Sequence, residues 1–137
     1  MTLTGPIVSG QAAQNVIAFA RVVMGICYLW YGISKLWFIP GTITFVGTKL
    51  PFPEFVFWLA VVLEAGLGLL LVIGLATRWA AAYLAFHCVF TGVVFHWVTT
   101  NRFQMDHFFE NIALAGGFLI LMAVGPGSAA LDNRKSA

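Results

Sequence analysis

Charge is scarce in this sequence. Asp, Glu, Lys and Arg together make up 9% of its 137 residues, against about 25% in an average soluble domain. With 61% of the residues hydrophobic, a water-soluble fold of this length could not hide its apolar surface. The few charges form no basic cluster and sum to only +2, so the electrostatic footprint of nucleic-acid binding is missing. Cysteine is rarer still. Cys27 and Cys88 both fall in apolar stretches and make no CxxC, which removes the usual signs of a thiol–disulfide relay or a zinc site; both read as inert buried thiols. Met1 to Asn15 holds no Lys or Arg, so it lacks the basic start of a secretory signal and is expected to be retained as a polar lead-in. There is no Met-Gly start and no C-terminal Cys for lipidation. No P-loop, GxGxxG or Ser/His/Asp set is placed to act.

Long apolar runs take the place of these features. Residues 16–38, 55–76, 79–98 and 108–124 each approach the roughly 20 residues needed to cross a bilayer. The expected class is all-α, an integral membrane four-helix transmembrane bundle forming a single domain over residues 1–137. Pro40-Gly41 stops the first run, and residues 41–54 read as a loop that lies partly at the interface. Thr77-Arg78 leaves so little chain that the second and third spans must be antiparallel neighbours. Trp37, Trp58 and Trp97 fall near span ends on one side and Trp79 on the other, as interfacial anchors do. Four spans put both termini on one side, with Arg78, Arg134 and Lys135. The other side has Lys35, Lys49 and Arg102. By the positive-inside rule this is close to a tie; cytoplasmic termini are favoured because Glu54, Asp106 and Glu110 accompany the basic residues of the opposite side.

The first span carries two charges of its own, Arg21 and Lys35. A charge at the centre of a membrane helix costs roughly 2.5–3.5 kcal/mol on insertion scales, so both need partners or a function. Helical periodicity places Arg21, Gly25, Tyr28, Gly32 and Lys35 on one stripe, whose glycines suit close helix packing; this stripe should face the bundle. Glu64 lies near the middle of the second span. Depth arithmetic favours a buried Arg21–Glu64 charge pair, with Lys35 reaching back to its own interface. Lys35, His96 and Asn111 then share a level, and with Glu64 at the floor they outline a ligand pocket suited to a carbonyl or quinone oxygen or a small anion. His87 lies about 180° from His96 on an ideal helix; the two should not share a ligand, and His87 reads as hydrogen-bonded inside the bundle. His96, Asp106 and His107 match no standard metal-ligand spacing, so no metal is expected.

Three ordered motifs resemble the DoxX family of small membrane proteins. Arg21-x3-Gly25-x6-Gly32-x2-Lys35-Leu36 is similar to its opening helix. Glu64-x3-Gly68-x5-Gly74-Leu75-x-Thr77-Arg78 is similar to its second helix and tight turn. Asn111-x-Ala113-Leu114-x-Gly116, followed by Gly125-Pro126-Gly127-x4-Asp132, is similar to its fourth helix and terminal signature. The resemblance implies a four-helix bundle in a prokaryotic inner membrane. The family takes its name from a membrane subunit of a thiosulfate:quinone oxidoreductase, and other members accompany membrane redox assemblies or oxidative-stress and thiol systems.

The first functional expectation is therefore an accessory or anchoring subunit of a membrane redox or respiratory complex, without catalytic activity of its own. It would contact the lipid bilayer and other membrane subunits or further copies of itself. The second is a quinone-binding component of an oxidoreductase, using Lys35, Glu64, His96 and Asn111. The third is a small-solute transporter, ranked last because four helices are few for alternating access and no inverted repeat is evident.

Overall fold

In hydrocarbon every backbone N–H and C=O must be satisfied within the protein, and a sequence of isolated apolar runs can do that only as helices. The computed structural model describes residues 10–134, and every regular element among them is helical. In chain order these are α1 (Gly10–Ser34), a 3₁₀ turn (Lys35–Phe38), α2 (Ile39–Gly47), α3 (Pro53–Ile73), α4 (Thr77–Thr91), a π-helical turn (Gly92–His96), α5 (Arg102–Val124) and the short α6 (Leu131–Arg134). Among the described residues, four stretches are long and apolar enough to span a membrane: Gly10–Gly47, Pro53–Ile73, Thr77–His96 and Arg102–Val124. The protein is a multi-pass integral membrane protein with an all-α bundle fold.

Two boundaries differ from the sequence expectation. Helix α1 begins at Gly10, so the described part of the lead-in is already helical; Met1 to Ser9 and Lys135 lie outside the described residues. The presumed loop after Pro40 contains α2. A straight helix over residues 10–47 would be about 57 Å long, far beyond a hydrocarbon core of about 30 Å. The chain therefore turns through Lys35–Phe38, where Phe38 leaves helical geometry (φ −129°, ψ 37°), and Pro40 at the start of α2 supports its first turn.

The helices associate in antiparallel pairs, α1 with α3 and α4 with α5. Glycine sets the first pair. A Cβ on Gly25 would lie 2.8 Å from the carbonyl oxygen of Gly68, and one on Gly32 would meet Ala65, with its Cβ 2.8 Å away. Backbones this close permit only the smallest side chains. The expected stripe is buried at Arg21, Gly25, Tyr28 and Gly32. Tyr28 packs edge-on to Phe118 at 5.1 Å between ring centroids, and its hydroxyl lies 2.6 Å from the Cys88 sulfur. Together with Leu71, Leu84 and Ala81 they form the core that joins the two pairs. Cys88 is buried as expected, whereas Cys27 is exposed on the outer face.

The end of the bundle that holds the termini is locked by polar contacts to backbone. Asp132 accepts from the N–H groups of Ala76 (2.7 Å) and Thr77 (2.9 Å), capping the start of α4 as a side chain from elsewhere in the chain. Arg78 donates to the carbonyls of Met122 and Ala123, at 2.7 and 2.8 Å, satisfying carbonyls in the last turn of α5. Gly127, at φ +72°, brings the chain against α1, where a Cβ would lie 2.6 Å from the Gln14 carbonyl oxygen.

Candidate functional site

Arg21 does not pair with Glu64. Its Nη1 donates to the carbonyls of Leu71 (2.9 Å) and Val72 (3.4 Å), and its Nη2 to those of Ser128 (3.5 Å) and Ala129 (3.4 Å). The side chain is 1% exposed, and it ties α1 to the C-terminal end of α3 and to the terminal segment. Carbonyls in a helix's last turn carry the negative end of its dipole, so a cation there needs no carboxylate. The expected pair fails on register. The glycine contacts place Gly32 beside Ala65, which leaves Arg21 roughly 18 Å along the helix axis from the level of Glu64. Depth counted from separately assumed midplanes missed that offset.

The same register delivers Lys35 to Glu64. Lys35 Nζ forms an ion pair with Glu64 Oε2 and also donates to the Tyr31 carbonyl at 3.2 Å. The expectation that Lys35 turns back to its own interface is therefore overturned. On the other side of the carboxylate, His87 Nε2 lies 3.0 Å from Glu64 Oε1. A carboxylate oxygen accepts, so the Nε2–H of His87 donates. Both oxygens of Glu64, whose side chain is 7% exposed, are engaged by side chains from α4 and from the turn after α1.

This group forms one wall of a cavity of about 460 Å³. Lys35, Glu64, His96 and Asn111, the four residues picked out from the sequence, all line it, together with His87, Thr91 and His107. The remaining wall is largely aromatic and aliphatic, including Tyr31, Tyr83, Phe86, Phe90 and Phe95. Helix α2 covers the side away from the termini, where Thr42, Phe45 and Val46 reach the cavity and Phe45 packs on Phe95 at 5.5 Å between ring centroids.

His87 and His96 both face this space, contrary to the ideal-helix expectation. The reason is the π-helical turn Gly92–His96, which turns through fewer degrees per residue than an α-helix and brings His96 round toward His87. Such turns are frequent at functional sites. Gly92 lies close against α5, where a Cβ would come 3.2 Å from the Cβ of Asn111. His96 Nδ1–H donates to Gln104 Oε1 at 2.7 Å, and His107 Nδ1–H donates to Glu110 Oε2 at 2.8 Å. In each neutral ring the other nitrogen is then an acceptor. Asn111 is held between helices: Nδ2 donates to the His107 carbonyl at 2.9 Å, and Oδ1 lies 3.0 Å from the Thr91 hydroxyl.

His87 is hydrogen-bonded inside the bundle as expected, but sequence reasoning missed its partner, Glu64, and its place on the cavity. The signal was present. Glu64 and His87 lie equally far on either side of the Leu75-Ala76 turn, and an antiparallel hairpin brings such residues to one level. The His107–Glu110 contact is an i,i+3 pair on α5, legible from its spacing; that both residues line the cavity had no comparable signal, because it depends on where α5 is placed.

The profile of the DoxX family matches residues 16–97, a stretch that includes Arg21, Lys35, Glu64, His87 and His96. The chain belongs to the DoxX family. Among its relatives, inner membrane protein YphA of Escherichia coli (strain K12) is 30% identical over 131 residues, covering 91% of this chain and 94% of YphA. Inner membrane protein YqjF of the same organism is 30% identical over 116 residues, covering 85% of this chain and 88% of YqjF. No solved structure matches. In this DoxX protein Arg21 is thus consumed by backbone carbonyls, whereas the Lys35–Glu64–His87 group is set in the wall of a cavity.

Proposed function

We propose that this DoxX protein binds the ring of a quinone in the cavity, as the quinone-binding membrane component of an oxidoreductase assembly. The observation that carries the reading is the Lys35–Glu64–His87 group in the wall of an aromatic-lined cavity within a membrane bundle. Intramembrane ionisable groups are costly, and they concentrate at ligand and proton pathways. A quinone ring needs flat apolar walls and hydrogen-bond donors for its oxygens. Lys35 has three N–H groups, of which Glu64 and the Tyr31 carbonyl engage two; the third can donate to a quinone oxygen. His87, whose Nε2–H is donated to Glu64, holds that carboxylate in place beside Lys35. Asn111 and His96 complete the polar part of the lining. That Arg21 engages backbone elsewhere, and leaves the space beside Glu64 open, supports the reading further.

An accessory or anchoring role in a larger redox complex is compatible with this site, since partner subunits or a second copy would cover part of the exposed aromatic surface. The location we propose is a prokaryotic inner membrane, as for the two Escherichia coli relatives, with both termini cytoplasmic. Withdrawal of Lys35 into its pair with Glu64 takes it out of the positive-inside count and leaves Arg78, Arg134 and Lys135 against Lys49 and Arg102.

The test is isolation in mild detergent from native membranes, with mass spectrometry of co-purifying lipids and proteins. Stoichiometric quinone that is lost in Glu64→Gln supports the site. A fixed protein partner with no quinone in either form would reduce the protein to its accessory role.

A further inference from the structure

A second hollow adjoins the cavity. Tyr31, Glu110 and Leu114 line the cavity, and the same three side chains line this hollow of about 490 Å³ along the seam between α1 and α5. Met24, Ala113 and Gly117 complete that hollow. Tyr31, Glu110 and Ala113 are exposed, so the seam faces the surroundings of the bundle. We infer that this groove holds the start of an apolar side chain attached to the ring bound in the cavity, so that the ligand is a lipid-soluble, chain-bearing quinone that enters sideways from the bilayer. The inference rests on the ring-site reading above and specifies its substrate class.

Three observations support it. The first is adjacency, since Tyr31, Glu110 and Leu114 border both spaces. The second is chemistry. Past the Tyr31–Glu110 junction the groove is lined only by Met, Ala, Leu and Gly side chains. Glu110 itself is engaged by His107 at 2.8 Å. The floor is kept low by glycine, because even a Cβ on Gly117 would approach the Met24 methyl carbon to 3.1 Å, and methionine adapts readily to a flexible apolar chain. The third is direction. From Glu110 to Gly117 the groove descends α5 by about 10 Å, away from the helix end near the α2 side and toward the middle of the bilayer. A hydrocarbon chain belongs there, while the ring stays beside Lys35 and Glu64.

The experiment uses the full-length protein in nanodiscs and two probes: a dimethoxy-methyl-benzoquinone without a side chain, and the same ring bearing a decyl chain. Each is titrated against wild type, Gly117→Leu, Ala113→Leu and Glu64→Gln. Comparing proteins for one probe cancels its partitioning into lipid. Ala113→Leu, a lipid-facing apolar change on a helix, guards against loss of fold in Gly117→Leu. The expected result is that both leucine variants weaken the decyl probe about tenfold, roughly the effect of displacing two methylenes from contact, and leave the bare ring unchanged. Glu64→Gln should weaken both probes. Unaltered decyl binding in both leucine variants, with bare-ring binding intact and sensitive to Glu64→Gln, overturns the groove and leaves the ring site standing. Wild type that fails to bind the bare ring, or a bare ring indifferent to Glu64→Gln, overturns the ring site and the groove with it. Leucine variants that lose bound phospholipid or a cross-linkable dimer, with decyl binding unchanged, assign the groove to an acyl chain or to a second copy and overturn the inference.

Discussion

Arg21 and Glu64 are both buried charges in spanning helices, yet the parts of the bundle around them are built differently. Near the termini, Arg21 meets four backbone carbonyls, Asp132 caps α4 and Arg78 binds the last turn of α5. Each charge there completes a helix end, and the glycines at 74 and 127 let the chain close tightly around it. In the other half, Lys35, Glu64 and His87 satisfy one another side chain to side chain and leave a cavity beside them. A membrane bundle can thus spend a charge on holding its own backbone or keep it available to a ligand. What separates the two cases is the partner of the charge, not its depth.

That contrast is broken most severely by Arg21→Met. It removes a charged donor from four carbonyls at once, where hydrogen bonds to charged groups contribute about 1.5–3 kcal/mol each. The expected loss exceeds about 5 kcal/mol, read as unfolding at much lower temperature in mild detergent. A wild-type melting curve would show that the termini end is held by packing alone.

Glu64→Leu comes next. It strands Lys35 and His87 without their acceptor; removing one member of a fully buried pair costs about 3–5 kcal/mol, and the loss here is expected at or below the lower end because the Lys35 side chain is 27% exposed. Adding Lys35→Met should restore part of that stability, because apolar replacement of a whole buried pair is often neutral or favourable. Ligand binding should stay lost in the double variant. If stability does not recover, the pair is a structural element like Arg21, and the contrast between the two halves fails.

The smallest effect is expected from Asp132→Ala. Losing a helix cap costs about 1 kcal/mol, and the position is remote from the cavity. Its melting temperature should fall slightly while probe affinity stays at the wild-type value. Weakened binding in this variant would mean that the termini end and the cavity are coupled.

Much of the fold was legible because its causes are local. The shortage of charge and the apolar runs fixed the class and the number of spans. The spacing of Arg21, Gly25, Tyr28 and Gly32 identified the buried face of α1. The four pocket residues were legible as well, since Lys35, His96 and Asn111 fall at similar depths near span ends. The Arg21–Glu64 pairing was misread because depth was assigned helix by helix, whereas the offset between α1 and α3 is decided by contacts such as Gly25 on Gly68. Helix α2 was missed because Pro40-Gly41 reads as a stop, although proline is well suited to a helix's first turn. The facing of His96 into the same cavity as His87 was missed because periodicity assumes an unbroken α-helix through Gly92–His96.

By itself, then, the sequence determined that this protein is a four-span α-helical membrane bundle whose first helix turns a charged, glycine-bearing stripe inward. Hydropathy and helical periodicity act within a segment and need no knowledge of its neighbours. Only the tertiary structure decided that Arg21 clamps backbone while Lys35 and His87 share Glu64. Partnership between charges on different helices depends on register, which close backbone contacts set to within a residue, and on the local change in helical pitch before His96.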